Sequence, residues 1–279
     1  MQTRKYNNGR KDRFDRREDR RDDRRETPTE AEEDECRLEG RNAVQEALRS
    51  GRTIDKVFVA GGEVDHGLQR LAQQAKEAGA VVVSVDRRKL DTMSVTHAHQ
   101  GIIAMAAARE YSTIDDILAY ASEKGEKALI VLCDELSDPH NLGAILRSAE
   151  CAGAHGVIIP KRRSVGLSAV VAKASAGAIE FMKVARVTNL AAAMEELKEK
   201  GVWIYGTAAE GSIPMYQADL RGPAAIVIGS EGDGMSRLVR EKCDVTVHIP
   251  MKGRISSLNA SAAASILLYE AVRQRETEA

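Results

Sequence analysis

The chain has 279 residues, longer than the usual single domain of about 100–200 residues, so two units plus a tail are expected. Its 41 Lys/Arg against 42 Asp/Glu leave a net charge of −1; any nucleic-acid surface must therefore rest on local clustering, not on whole-molecule charge. Apolar residues make up 43% and aromatics only 4%, so the core must be built from Val, Ile, Leu and Ala. Broken by glycines at short intervals, that composition suits alternating strands and helices and counts against an all-β sandwich.

Residues 1–35 form a regime of their own. Positions 4–25 hold eleven Lys/Arg against six Asp/Glu, and positions 26–35 hold six acids and no base. So little is apolar there that ordering could not offset about 1–2 kcal/mol of backbone entropy per residue, and a disordered charged tail is expected. From Cys36 the pattern changes. Ala43, Val44, Ala47 and Leu48 mark one face of a helix that Gly51 ends. A strand follows over 54–60, a helix through Leu68, Leu71 and Ala75, a strand over 80–85, a short helix near Leu90 and a strand over 101–107. Residues 36–108 thus form a small α/β domain, and 109–112 read as a linker.

Residues 113–279 carry a longer α/β series. Strands are expected over 128–134, 156–160, 181–187, 202–208, 224–229 and 244–250, and helices over 141–152, 168–179, 189–200, 236–242 and 259–274. Near-continuous apolar strands alternating with helices imply a parallel sheet covered on both faces. Ligands of such sheets bind outside the carboxyl ends of the strands. Cys36, Cys133, Cys151 and Cys243 lie far apart without a CxxC pair, which argues against a zinc site and against a disulfide framework. The absence of an 18-residue apolar run, and a charged stretch where a signal peptide would be apolar, point to a cytoplasmic protein.

Three segments that follow strands stand out. In SDPHNLGAILRSAEC (137–151) the Asp138-Pro139 pair is expected to exclude helix, with Asn141 as the cap of the helix that follows and Arg147 six residues into it. Taken alone, Arg147 reads equally as a solvated side chain. In IGSEGDGMSRL (228–238) the glycines are spaced G-x-x-G-x-G, neither a dinucleotide fingerprint nor a P-loop, so a loop closing over an uncharged adenosine fits better than a phosphate cradle. In IPMKGRISSLNASAAASILLYEAV (249–272) a strand enters a Gly-containing loop and then a helix crowded with Ala and Ser. Ser257 and Asn259 there read equally as simple helix caps.

Together these segments resemble, in order and placement, the three signature motifs of the SpoU (TrmH-like) RNA ribose methyltransferases. The resemblance extends over 37–274, with GRNAVQEAL (40–48) and HQG (99–101) similar to that family's substrate-binding domain. It implies a knotted (SPOUT) C-terminal domain with a deep trefoil and a small ribosomal-protein-like N-terminal α/β domain. It also implies a homodimer and transfer of methyl from S-adenosylmethionine, without metal, to a ribose 2′-hydroxyl, most specifically of a guanosine in 23S rRNA. Under the resemblance Arg147, Asn141, Glu231, Ser257 and Asn259 are the catalytic set, and Thr207, Gly229, Ile249 and Leu258 contact the donor. Asn42, His99, Lys161, Arg162 and Arg163 are the expected RNA contacts, and the basic stretch 4–25 is an optional further arm. Asp233 and Ala260 depart from the commonest form of the motifs, in which Lys or Glu and then Val stand at those positions.

Overall fold

The computed structural model describes residues 36–62, 65–208 and 211–277; the expected charged tail, 1–35, lies outside the described residues. Residues 36–106 build a four-stranded mixed sheet. Its elements are β1 (Arg37–Glu39), α1 (Arg41–Arg49), β2 (Ile54–Ala60), α2 (His66–Glu77), β3 (Val81–Val85), α3 (Arg87–Met93) and β4 (Ile102–Ala106), with strand order β1-β4-β2-β3. Only β2 and β3 run parallel. Helix α2 starts where the Asp65 carboxylate accepts from the backbone of Gly67 and Leu68, and its buried Leu68, Leu71 and Ala75 pack on the sheet with Val44 and Ala47 of α1.

The loop from α3 to β4 is held by two polar side chains. Glu39 accepts from the hydroxyls of Ser94 (2.6 Å) and Thr96 and from the amides of Val95 (2.8 Å) and Thr96 (3.1 Å). His99, only 4% exposed, accepts from the Gly101 amide at Nδ1 (3.0 Å) and meets Asp91 at Nε2 (2.9 Å).

The second unit contains α4 (Ile114–Glu123), β5 (Leu129–Cys133), α5 (Pro139–Cys151), β6 (Gly156–Pro160), α6 (Ala169–Ala174) and β7 (Val184–Val187). It continues with α7 (Leu190–Glu199), β8 (Trp203–Thr207), β9 (Ile213–Pro214), β10 (Ala224–Ile228), α8 (Arg237–Glu241), β11 (Val245–His248) and α9 (Ala260–Glu276). The seven strands lie in the order β7-β6-β5-β10-β8-β11-β9, every pair parallel. Strand alternation divides the core: Leu129, Val131 and Cys133 face α5 and α9, whereas Ile130 and Leu132 face α4 and α7. Both faces are covered, as the apolar strands require.

The elements depart from the expected spans for local reasons. Helix α5 begins two residues early, at Pro139, because an extended residue before proline is also the right shape for a helix cap: Asp138 (φ −85°, ψ 119°) caps the helix by accepting from the His140 amide, and proline is tolerated in a first turn. Asn141 is therefore not the cap but a buried residue inside the first turn. The expected strand over 181–187 is confined to Val184–Val187, and the expected helix over 168–179 stops at Ala174, because Gly177 (φ +89°) turns the chain into a 3₁₀ turn over Ala178–Glu180. Strand β9, two residues long, carries no periodicity that a sequence could show.

The two units meet through a buried ion pair. Arg186 on β7 donates to the Asp55 carboxylate on β2 at 2.6 Å and to the Asp55 carbonyl at 3.0 Å, the two side chains being 8% and 12% exposed. Tyr111 donates to the same carboxylate (3.0 Å) and accepts from the Leu167 amide (2.9 Å), so 109–112 is docked, with Ser112 bridged to Ala185. Desolvation raises the Asp55 carboxyl above its ordinary range, against the opposing pull of Arg186 and Tyr111. A Cβ at Gly166 would overlap the Asp55 carboxylate, so glycine is required there.

Desolvation of Glu39 opposes its charge, but the hydrogen bonds from Ser94, Thr96 and Val95 outweigh it and hold its pKa at about 2, below the ordinary 4.5. A carboxyl with a lowered folded pKa stabilises above the unfolded value, and that contribution is lost as pH falls through the folded one. The melting temperature of Glu39→Gln should therefore lie below that of the parent at neutral pH, and the gap should close between pH 4.5 and about 2. Thermal unfolding across that window checks it, and a gap constant with pH would remove the assignment.

Candidate active site

The carboxyl ends of β5, β8, β10 and β11 lie side by side in the sheet, and the three singled-out segments leave from β5, β10 and β11. The first enters α5, which brings Asn141 to the sheet edge. The second is a tight loop after β10. Gly229 is buried there because a Cβ would overlap the backbone of Gly234 and Met235; Ser230 and Gly234 exchange backbone hydrogen bonds of 2.9 and 3.1 Å, and Gly234 sits at φ +68°. Asp134, buried at the end of β5, accepts from the Ser236 amide at 2.6 Å and fixes the exit of this loop. The third segment runs exposed from Met251 to Asn259. No hydrogen bond among the described residues involves 251–258.

Three side chains tie these segments together. Glu231 accepts from the amides of Asn141 (2.8 Å) and Asn259 (2.7 Å), and the Asn259 amide also donates to the Asn141 side-chain oxygen (2.8 Å). The remaining oxygen of Asn259 caps α9, accepting from the amides of Ser261 (3.0 Å) and Ala262 (3.2 Å). Asn259 is thus both a helix cap and a member of the cluster. A carboxylate accepting two amide donors is a strong, charge-assisted arrangement.

Two adjoining cavities of about 490 Å³ each open beside this cluster and share Thr207, Ala208, Ser256, Ser257, Leu258 and Ala263. The first adds Val247, Ile249, Met251 and Ile255, and the second adds the glycine loop with Glu231 and Arg240. Thr207, Gly229, Ile249 and Leu258 all lie in these walls. The Thr207 hydroxyl is turned away into the sheet, donating to the Val227 carbonyl at 2.9 Å. Ser257 is exposed in the shared wall.

Arg147 is not part of the cluster. It lies about 120° around α5 from Asn141, exposed and without a hydrogen bond or ion pair to any described residue. Its neighbour Ser148 meets Ser265 of α9 at 2.7 Å, so Arg147 borders the α5–α9 pair. Of the expected RNA contacts, Asn42 and Arg162 are exposed, and Arg163 is paired with Glu135 at 3.0 Å. Lys161 borders the junction between the two units. The His99 ring is buried with both nitrogens engaged, so it shapes the turn before β4 and is not free to touch RNA. Asp134 and Arg240 carry no role in the reading of the sequence; a carboxylate directly after a buried strand was the available signal for Asp134.

Burial pushes the thiol of Cys133 up to about 12 and that of Cys243 up to about 11, which leaves neither a nucleophile near neutrality. Among the described residues no group of three or more His, Cys, Asp or Glu is placed to hold a metal ion.

Comparison with known proteins agrees with this geometry. Residues 128–269 match the SpoU rRNA Methylase family, and residues 37–112 match the RNA 2'-O ribose methyltransferase substrate binding domain. A Bacillus subtilis (strain 168) protein, YacO, described as of the TrmH family of tRNA/rRNA methyltransferases, is 51% identical over 236 residues, covering 85% of this chain and 94% of the relative. The SpoU methyltransferase AviRb from Streptomyces viridochromogenes, solved in complex with AdoMet, is 26% identical with a TM-score of 0.56 over 86% of this chain and 90% of its own. The TrmH/SpoU tRNA modifying enzyme of A. aeolicus is 30% identical with a TM-score of 0.51, over 55% of this chain and 78% of its own. The chain belongs to the SpoU family of RNA methyltransferases.

Proposed function

We propose that this protein transfers methyl from S-adenosylmethionine to a ribose 2′-hydroxyl of RNA, most specifically of a guanosine in 23S rRNA. The carrying observation is the Asn141–Glu231–Asn259 cluster, which gathers the three post-strand segments beside two adjoining cavities at the carboxyl edge of a parallel sheet. The cavities fit the donor. Their shared wall sets Ala208, Leu258 and Ala263 beside the hydroxyls of Thr207, Ser256 and Ser257, the first cavity adds the apolar Val247, Ile249, Met251 and Ile255, as an adenosine needs, and the glycine loop lets backbone approach closely. Thr207, Gly229, Ile249 and Leu258 would hold it.

The donor supplies an electrophilic methyl on a sulfonium; the carbon–sulfur bond breaks as the oxygen–carbon bond forms, the 2′-proton is lost, and sulfur departs as a neutral thioether. What the chain must supply is alignment, which contributes about 7–11 kcal/mol in favourable cases, and electrostatic help to the developing alkoxide. Ser257 and Asn259 orient the ribose. Arg147 clamps the neighbouring phosphate and faces the alkoxide, because a guanidinium with a pKa above about 12 is a poor proton acceptor. The proton leaves late, to water.

A second copy of the chain completes this reading. Met251, Ile255, Leu258, Ile266 and Tyr269 expose apolar surface on the 251–258 segment and on α9, Ile255 at 75%, which supports a homodimer through this face. Trefoil threading of the last segment belongs to the same reading, supported by the insertion of β10 between β5 and β8. Ribosomal RNA is favoured over tRNA because the tRNA-modifying structure matches 55% of the chain, about the extent of the seven-stranded unit, whereas an rRNA methyltransferase from Sinorhizobium meliloti, 25% identical with a TM-score of 0.53, matches 88%. No helix of the described residues is long and apolar enough to cross a membrane, which fits action in the cytoplasm. Ribose-methylation mapping of total RNA from a deletion strain should show one lost 2′-O-methyl site in 23S rRNA. Loss in tRNA instead would reassign the substrate, and no loss would overturn the reading.

Two in vitro outcomes follow. Calorimetry with EDTA present should show binding of S-adenosylmethionine and of its demethylated product; no binding of either would exclude the donor. Arg147→Ala should lower turnover by at least roughly 10²-fold, the scale of one lost oxyanion-type donor, with melting temperature and donor affinity nearly unchanged. A variant that loses stability in step with activity would make Arg147 a structural residue.

A further inference from the structure

The junction of the two units encloses a cavity of about 370 Å³ that none of the residues above requires for methyl transfer. One wall is the α3 side of the small sheet. Arg37, Met105 and Lys56 lie in register across β1, β4 and β2, and Phe58 follows Lys56 on the same face. The Lys56 ammonium stands 5.9 Å from the centre of the Phe58 ring. The opposite wall comes from the stretch 164–170 of the larger unit, and Lys161 and Arg186 close the side. Among the described residues, Lys56 and Lys161 line the cavity with Asp55 as the one carboxylate, and Arg186 already neutralises Asp55. The Nε of Arg186 is buried without a partner, the sole such side-chain nitrogen or oxygen among the described residues. The cavity therefore combines an aromatic face with the ammonium groups of Lys56 and Lys161.

We propose that this cavity is a subsite for one unstacked nucleotide of the RNA substrate, its base against Phe58 and Met105 and its phosphate held by Lys56 and Lys161. The inference rests on the reading of the chain as an RNA methyltransferase. The volume lies in the range of small-ligand sites. Base–aromatic stacking is available only to a base taken out of a helix. The subsite would select RNA with a single-stranded or bulged nucleotide beside the target, which phosphate contacts alone cannot do.

The test uses the full chain and fluorescence anisotropy with two probes, a single-stranded 12-nucleotide RNA and the same RNA paired with its complement, with guanosine 5′-monophosphate as a competitor. Phe58→Ala should weaken single-strand binding roughly tenfold or more, the scale of one stacked base, and leave duplex binding and S-adenosylmethionine affinity unchanged; Phe58→Trp should retain it. Lys56→Ala and Lys161→Ala should each flatten the salt dependence by about one contact. Ala169→Trp fills the cavity from the other wall and should give the same loss should Phe58→Ala fail to fold. Single-strand affinity unchanged in the folded variant of either pair overturns the subsite, as does a free mononucleotide binding more tightly than the RNA. Unchanged affinity together with tighter RNA binding after Glu32→Gln, Glu33→Gln, Asp34→Asn and Glu35→Gln would assign the cavity to the chain's own acidic stretch, which ends at cavity residues Cys36 and Arg37. A parent protein that neither binds nor methylates RNA would instead bring down the functional reading itself.

Discussion

The site depends on one carboxylate shared by two amides. Glu231 stands on a glycine loop, Asn141 in the first turn of α5 and Asn259 at the cap of α9, and each of those segments leaves a different strand. Without Glu231 the loop after β10 would have no side-chain tie to the other two. With it, three stretches separated by 90 and 28 residues share one geometry. Asn259 enforces the arrangement in a second way, since the oxygen not used in the cluster starts α9. Moving the cap moves the cluster, so the longest helix among the described residues is registered to the site at its N-cap.

The architecture of the larger unit was legible because its central strands β5, β6 and β10 are buried on both faces and therefore apolar almost throughout. The placement of the informative segments followed from the parallel sheet alone. What misled was local: Asp138-Pro139 forbids helix before the proline but opens one at it, so Asn141 moved from cap to interior and became available to Glu231. For His99 the sequence shows the residue but not its burial: the ring lies inside the domain with both nitrogens engaged and shapes the turn before β4.

The junction was invisible to any reading of the sequence. Asp55 sits in a strand pattern that reads as ordinary, Arg186 lies 131 residues away, and Tyr111 belongs to what reads as a tether. Their pairing depends on two folded units meeting, and no periodicity reports it. The glycine at 166, which lets the Asp55 carboxylate approach, likewise looks like any loop glycine until the opposing strand is in place. A buried pair of this kind is a modest stabiliser, because desolvation offsets much of the attraction, but removal of either partner leaves an uncompensated charge. Its role is to fix orientation.

The same pair has a consequence for the medium in which the protein works. Counterions reach exposed lysines, and at ordinary ionic strength they damp fields beyond about 8–10 Å. They do not reach Asp55 and Arg186, whose side chains are 12% and 8% exposed. Rising salt therefore loosens the grip of the surface on a polyanion long before it disturbs the angle between the two sheets, so RNA held by exposed cations can be shed while the junction of the two units keeps its shape.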